Sequence, residues 1–414
     1  MGQGSPKISR RGFALGTGAA FLAGAAPFGI LRAQAGPLKI GAILPRSGTQ
    51  AFFGQSCQKG LDIAPALLKE LGYDFPIDIV SADSETSVDV ARSQAERLIN
   101  DGANVLTGAF DSGGTAAVAQ VCEQRGVPFV INIAAAPQIT EQGYRFVFRN
   151  FPTSLDLVRN GLLGFKEVFA ATGTTPKTAV FMHVNDTFGQ ANKAAVDRLF
   201  PAADMPFRIV ETISYDPAAK DLSVEVAKAK AAGADLLMVT SRINDAILLV
   251  REMVRQRWSP MGIMSPGSPG MYEEQFFKAL GKYADDVITV IPWYNPNSDV
   301  AKRVAALFRQ KFPNDRLIGN IFNVGFTVEA ALIAADAYKR AGSTNGQAIA
   351  DALRRTDLEK RVMIGPPIRF DPKGQVEESR SAVLQNFNLE PKVVLPQEAA
   401  QAKPVFPVPP WDKR

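Results

Sequence analysis

From residue 38 onward the chain alternates short β-branched or aliphatic runs with segments of helical length, almost without a break. Parallel strands can be joined only by long crossovers, and helices are the usual crossover, so this alternation predicts an α/β fold with parallel-sheet cores. Strands are predicted over residues 38–44, 77–81, 105–107, 129–132, 178–183, 207–213 and 236–240. Helices are predicted over 55–71, 87–100, 114–125, 155–171, 190–200, 221–231 and 245–256, with Asp221 as the N-cap of the sixth. The series restarts after Arg149, and the phrase Gly102-Ala103-Asn104 before one aliphatic strand returns as Gly233-Ala234-Asp235 before another. Both features hint at two similarly built halves. Beyond Ile291 come a Pro-rich connector, Pro292-Trp293-Tyr294-Asn295-Pro296, and helical patterns over 299–311 and 324–342. The tail from Pro391, rich in Pro, Ala and Gln, is expected to lie over the surface without forming a domain.

Composition narrows the function. A chain of 414 residues, 46% apolar and 21% charged, has enough material for substantial cores and does not read as disordered, collagen-like or polytopic. One His and two Cys cannot build a zinc or iron–sulfur cluster, and a His-dependent reaction has only His183 to draw on. The formal charge of +5 is largely local: residues 1–35 hold Lys7, Arg10, Arg11 and Arg32 and no acid, so without them the chain sits near +1. This segment, with Arg10-Arg11 ahead of a Gly- and Ala-rich apolar stretch and Ala33-Gln34-Ala35 before Gly36, resembles a twin-arginine export signal cleaved after Ala35. Export would place Cys57 and Cys122 in an oxidising compartment. A disulfide and two buried thiols are both open, since Cys122 lies in an apolar helical pattern.

Several kinds of site are missing. The chain after residue 35 has no dinucleotide-binding Gly-x-Gly-x-x-Gly, no phosphate loop and no Gly-x-Ser-x-Gly elbow. Basic residues are dispersed among acids, without the clustering that nucleic-acid binding needs. What remains is Asp111-Ser112-Gly113-Gly114-Thr115, which follows a predicted strand and opens a helix. It offers free backbone N–H groups and a hydroxyl to an anion.

Taken in order, the phrases Gly41-Ala42-Ile43-Leu44-Pro45-Arg46-Ser47-Gly48 with Phe52-Phe53-Gly54, Asp83-Ser84-Glu85, Gly108-Ala109-Phe110-Asp111-Ser112, Asn185-Asp186-Thr187-Phe188-Gly189 and the stretch 365–374 resemble the leucine/isoleucine/valine-type periplasmic substrate-binding proteins of ABC importers. The resemblance implies two Rossmann-like lobes joined by a three-segment hinge, with crossings near 149–153, 291–294 and 363–365. One lobe would comprise 36–149 plus 294–363, the other 150–293 plus 364–390, with 391–414 as a Pro-rich tail. It implies a ligand carboxylate on Ser112, helped by Asp111 at the helix start and the backbone of Ala134, Ala135 and Ala136, with Phe53 and Phe188 flanking the ligand from opposite lobes. The implied partners are a small solute, the membrane subunits of an ABC permease and, during export, the twin-arginine translocase. Neither a cofactor nor a metal is implied.

Two departures bear on the ligand. Ala136 stands where amino-acid binders of the family keep a Thr, and Gly267 where they keep the Glu that holds the ammonium. An unpaired buried ammonium costs on the order of several kcal/mol. A carboxylate with an apolar or aromatic body is therefore expected, with Arg242 as a charge-assisted donor; the other reading of Arg242 is a surface residue paired with Asp245. Rivals to solute transport are a sensory protein presenting the same closed form to a receptor, a branched-chain amino acid or amide binder, and an enzyme using His183.

Overall fold

The computed structural model describes residues 1–2 and 36–414, so Arg10 and Arg11 lie outside the described residues. In chain order, β1 (Leu38–Leu44), α1 (Ala51–Glu70), β2 (Ile77–Asp83), α2 (Val88–Asn100), β3 (Val105–Gly108), α3 (Ser112–Arg125), β4 (Phe129–Ile131) and β5 (Val147–Arg149) build the first lobe. Its five strands are all parallel, in the order β2-β1-β3-β4-β5, with Ile40 of β1 opposite Ile79 on one side and Val105 on the other. Both faces are covered. Ala42 and Leu44 of β1 enter one core, while Ile43 enters another with Leu98 of α2 and Val118 of α3. That two-sided burial is why these strands read as continuous apolar runs.

The second lobe follows with α4 (Ser154–Thr172), β6 (Thr178–Val184), α5 (Thr187–Leu199), β7 (Arg208–Tyr215), α6 (Ser223–Ala231), β8 (Leu236–Thr240), α7 (Ile243–Arg255), β9 (Gly262–Ser265), α8 (Glu274–Leu280) and β10 (Ile288–Pro292). The chain then supplies α9 (Asp299–Lys311), α10 (Ile321–Ala341) and α11 (Gly346–Arg354) before finishing with β11 (Ser381–Phe387) and β12 (Glu390–Leu395). α10 packs on α1 and on the first sheet. It is apolar enough to cross a membrane, yet it is a core helix here, with 94% of an 18-residue stretch of it buried. The second sheet runs β12-β11-β10-β9-β8-β6-β7, with β11 antiparallel to both β10 and β12.

Strand-to-helix turns are fixed by short polar side chains. Asp111 Oδ1 accepts the Gly114 N–H at 2.7 Å, Asp186 Oδ1 accepts the Gly189 N–H at 2.8 Å, and Thr153 and Asp156 close a capping box on α4. Three stretches connect the lobes and lie side by side. The Ile364 N–H bonds the Trp293 carbonyl at 2.8 Å, and the Arg149 N–H bonds the Gly374 carbonyl at 2.7 Å.

Two expectations differ from the structure, and one open alternative is decided by it. Asp221 does not cap α6, because the helix begins at Ser223 after Leu222 and Asp221 Oδ1 takes the Ser223 N–H from outside it. The stretch from Pro391 is no surface tail at its start. Residues 391–395 belong to β12, and Phe406, Val408 and Trp411 are buried, with the Trp411 indole N–H donating to the Trp258 carbonyl. Cys57 and Cys122 are both free and buried, on different elements, and burial raises the pKa of each thiol, that of Cys57 to about 12.

Candidate functional site

The carboxyl ends of the two sheets face each other, and the loops there line a small cavity of about 20 Å³. From the first lobe come Phe110 and Ser112 after β3 and Ile133, Ala134 and Ala135 after β4; from the second come Phe188 after β6, Arg242 after β8, and Gly267 and Pro269 after β9. Phe151, between β5 and α4, and Phe322 of α10 complete it, their rings edge to face at 5.8 Å. Not one of the lining residues is acidic.

Ser112 and the alanine loop form one unit. Ser112 Oγ accepts the Ala136 N–H at 3.3 Å, so its own proton is free to be donated. The carbonyls of Ala134 and Ala136 are taken by Arg149 Nη1 at 3.1 and 2.7 Å, and that of Ala135 by the Ser154 N–H at 2.7 Å. Arg149 is wholly buried and also bonds Gln375 and Thr140. Burial brings its pKa down to about 10, so it remains a cation at neutral pH and ties the loop to the connecting segments.

Arg242 is buried, not superficial, and its side chain pairs with Asp186. Nε and Nη2 both donate to Asp186 Oδ2, at 2.9 and 2.7 Å, while Asp245 takes the Arg242 backbone N–H. Burial works against the guanidinium, but Asp186, helped by Asp111 and Asp245, more than offsets it and holds the Arg242 pKa above its ordinary value. The guanidinium carbon lies 4.9 Å from the centre of the Phe188 ring and 5.9 Å from that of Phe110, so it is flanked by an aromatic from each lobe. Nη1 has no protein partner among the described residues. Behind it, the Tyr215 hydroxyl donates to Asp245 at 2.6 Å, and burial raises Asp245 to about 6.

On the far side of Phe188 and Arg242 lies a second, more open chamber of about 240 Å³, lined by Gln50, Thr86, Asp111, Asp186 and Pro217 among others. At its rim the Asn244 side chain donates to the Thr49 carbonyl at 2.8 Å, a hydrogen bond from one lobe to the other.

A cleft of this kind, between two parallel-sheet lobes with helix starts aimed inward, agrees with a direct comparison. The sequence matches the family described as "Periplasmic binding protein" over residues 37–385. The chain belongs to that family. Leu/Ile/Val-binding protein homolog 8 of Brucella abortus is 25% identical over 242 residues, 58% of this chain, and the chain spans about three-fifths (60%) of the length of that relative. Among solved structures, a branched-chain amino acid transporter substrate-binding protein of Streptococcus pneumoniae in complex with isoleucine is similar with a TM-score of 0.74 at 18% identity, covering 89% of this chain and 99% of that one. A solute-binding protein of an ABC transporter from R. palustris in complex with benzoate is similar with a TM-score of 0.74 at 18% identity, covering 89% and 100%. These two likenesses bear on the fold.

In this periplasmic binding protein, the residues singled out from the sequence do not all meet. Ser112, Ala134, Ala135, Phe188, Arg242 and Gly267 line the inner cavity. Ala136 does not, and acts through its N–H on Ser112. Asp111 caps α3 and faces the outer chamber. Phe53 is fully buried and stacks on Phe110 at 4.6 Å and 15°, so the ring that reaches the cavity is Phe110. At Gly267, φ is +106° and a Cβ would sit 2.7 Å from the Leu157 Cβ, so the wall there is backbone alone. His183 is buried, its pKa lowered by that burial, and it lines neither chamber. Phe110, Phe151, Phe322 and Asp186 were not singled out. For Phe110 and Asp186 the signal was their place in the first turn after a strand; Phe322, on a helix nearly two hundred residues away, gave none.

Proposed function

We propose that this protein is the solute-binding component of an ABC importer, exported by a twin-arginine signal cleaved after Ala35, and that it captures a small carboxylate with an apolar or aromatic body between its lobes. In this reading the ligand carboxylate takes the Ser112 hydroxyl proton and a bond from Arg242 Nη1, while Phe110, Phe151, Phe188 and Phe322 surround the body. The observation that carries the proposal is the combination of these two donors with a lining that contains no acid. An α-ammonium enclosed there would have no anionic partner, whereas a carboxylate would find both donors. The lobes would pivot where the chain crosses, near 149–153, 291–294 and 363–365, and the closed form would be presented to the permease. No bond is made or broken. Titration calorimetry with leucine, isoleucine, benzoate, phenylacetate and succinate tests the reading. Binding is expected for a monocarboxylic acid without an α-amino group and is weakened by Arg242→Ala; tight binding of leucine, unaffected by that substitution, overturns it.

A further inference from the structure

We propose that the outer chamber is a second ligand compartment, taking a hydrogen-bond-donating group, hydroxyl or ammonium, carried by the same carboxylate ligand. The inference rests on the carboxylate reading of the inner cavity. Phe188 and Arg242 line both chambers, and Asp111 and Ser112 are consecutive at the start of α3, so the two spaces adjoin along one helix terminus. A ligand seated in the small inner cavity leaves the outer chamber, about 240 Å³, for a substituent.

Beside the donor Arg242, three side chains at the outer chamber carry acceptor oxygens: Gln50, Asp111 and Asp186. Asp111 uses Oδ1 on Gly114, and its Oδ2 accepts nothing from the described residues. Asp186 is ion-paired with Arg242, whereas Asp111 feels that guanidinium only through space. Independently, Gln50 lines the chamber at 8% exposure with a buried amide oxygen that accepts no hydrogen bond. Its position before α1 asks nothing of that side chain, which makes no capping bond. The Thr86 hydroxyl is already committed, donating to the Ser47 carbonyl at 2.8 Å and accepting from the Gln50 N–H. A buried acceptor without a donor is costly, and a ligand that supplies the donor recovers that cost on binding. Burial also raises the Asp111 pKa against the pull of Gly114 and Arg242, and a donor at Oδ2 would ease that.

The test is calorimetry on the full chain with matched acids carrying a methyl, hydroxymethyl or aminomethyl group para to a benzoate carboxylate, and the same set one methylene longer. At least one donor-bearing acid is expected to bind tenfold or more tightly than its methyl counterpart. Gln50→Leu should erase that advantage, with the melting temperature showing that the variant is folded. A gain confined to the amines assigns the compartment to a cation, and a gain shared with the alcohols assigns it to any donor. Methyl acids that bind as well as both donors overturn this inference and leave the carboxylate reading standing. A donor advantage that persists in both Gln50→Leu and Asp111→Asn overturns it as well. Failure of every acid to bind overturns both.

Discussion

Arg242 keeps one nitrogen for a ligand because Asp186 holds the other two. The pair is close to neutral by itself, so Arg242 serves a ligand through a directed charge-assisted hydrogen bond more than through net positive charge. Such bonds contribute about 1.5–3 kcal/mol, and Arg242→Ala is expected to weaken carboxylate binding by about ten- to a hundredfold in calorimetry. Lysine should rescue poorly, since a point charge cannot bridge Asp186 and the ligand in one plane. Glu273 gives a second prediction at this scale. It is wholly buried, one oxygen bonded only to the Asn323 amide at 3.3 Å and the other unpaired, and burial pushes its pKa well above the usual carboxylate range. The folded protein therefore holds a proton there that the unfolded chain releases near the ordinary value of 4.5, and stability falls as the pH rises from there through the folded-state value. Glu273→Gln should remove this component: melting temperatures of variant and parent should agree more closely at pH 5 than at pH 8, where the variant should be the more stable. A variant equally shifted at both pH values would contradict it. Ser112 was legible because a Ser after Asp at a strand-to-helix turn has a local meaning. Asp186 as the partner of Arg242 was not, since 56 residues separate them and only the sheet order makes them neighbours.

Elements with a long apolar period were readable, and those defined by pairing were not. Strands such as β1, β3, β6 and β8 lie inside two-sided parallel sheets and show as uniform apolar runs, whereas β12 begins Glu390-Pro391-Lys392 and resembles linker until β11 is beside it. Proline is tolerated there because β12 is the edge strand of its sheet. The segment beyond this edge strand is structural as well: Phe406 packs on Phe169 at 5.1 Å, and Trp411 is 7% exposed with its N–H bonded to the Trp258 carbonyl. Trp411→Ala should cost about 3–5 kcal/mol of unfolding free energy, by denaturant titration, as truncations of large buried aromatics do. Removal of residues 391–414 should cost more and expose the β11 edge to aggregation. A truncated chain that melts with the full one would return this segment to the status of a tail.

At the scale of the whole molecule the lobes touch on two sides of the cleft. Near the connecting segments, Glu273 meets Asn323 and Arg316 lies 3.6 Å from Glu274; at the rim, Asn244 donates to Thr49 at 2.8 Å. The rim contact exists only while the lobes are together, so it bears on the closing equilibrium and not on the ligand's own contacts. Observed affinity is the intrinsic affinity scaled by the population of the competent state, which makes a residue that never touches the ligand able to change its dissociation constant. A hydrogen bond of this kind contributes a net of about 0.5–1.5 kcal/mol, equivalent to about two- to tenfold. Because the open cleft admits the ligand before the rim contact forms, Asn244→Ala should leave the association rate unchanged and speed dissociation by that factor in stopped-flow measurements with a bound acid. Small-angle scattering of the ligand-bound variant should show a larger average radius of gyration than the ligand-bound parent. If association slows while dissociation stays constant, the Asn244–Thr49 bond belongs to the entry path, and the lobes do not use it to hold the cleft shut.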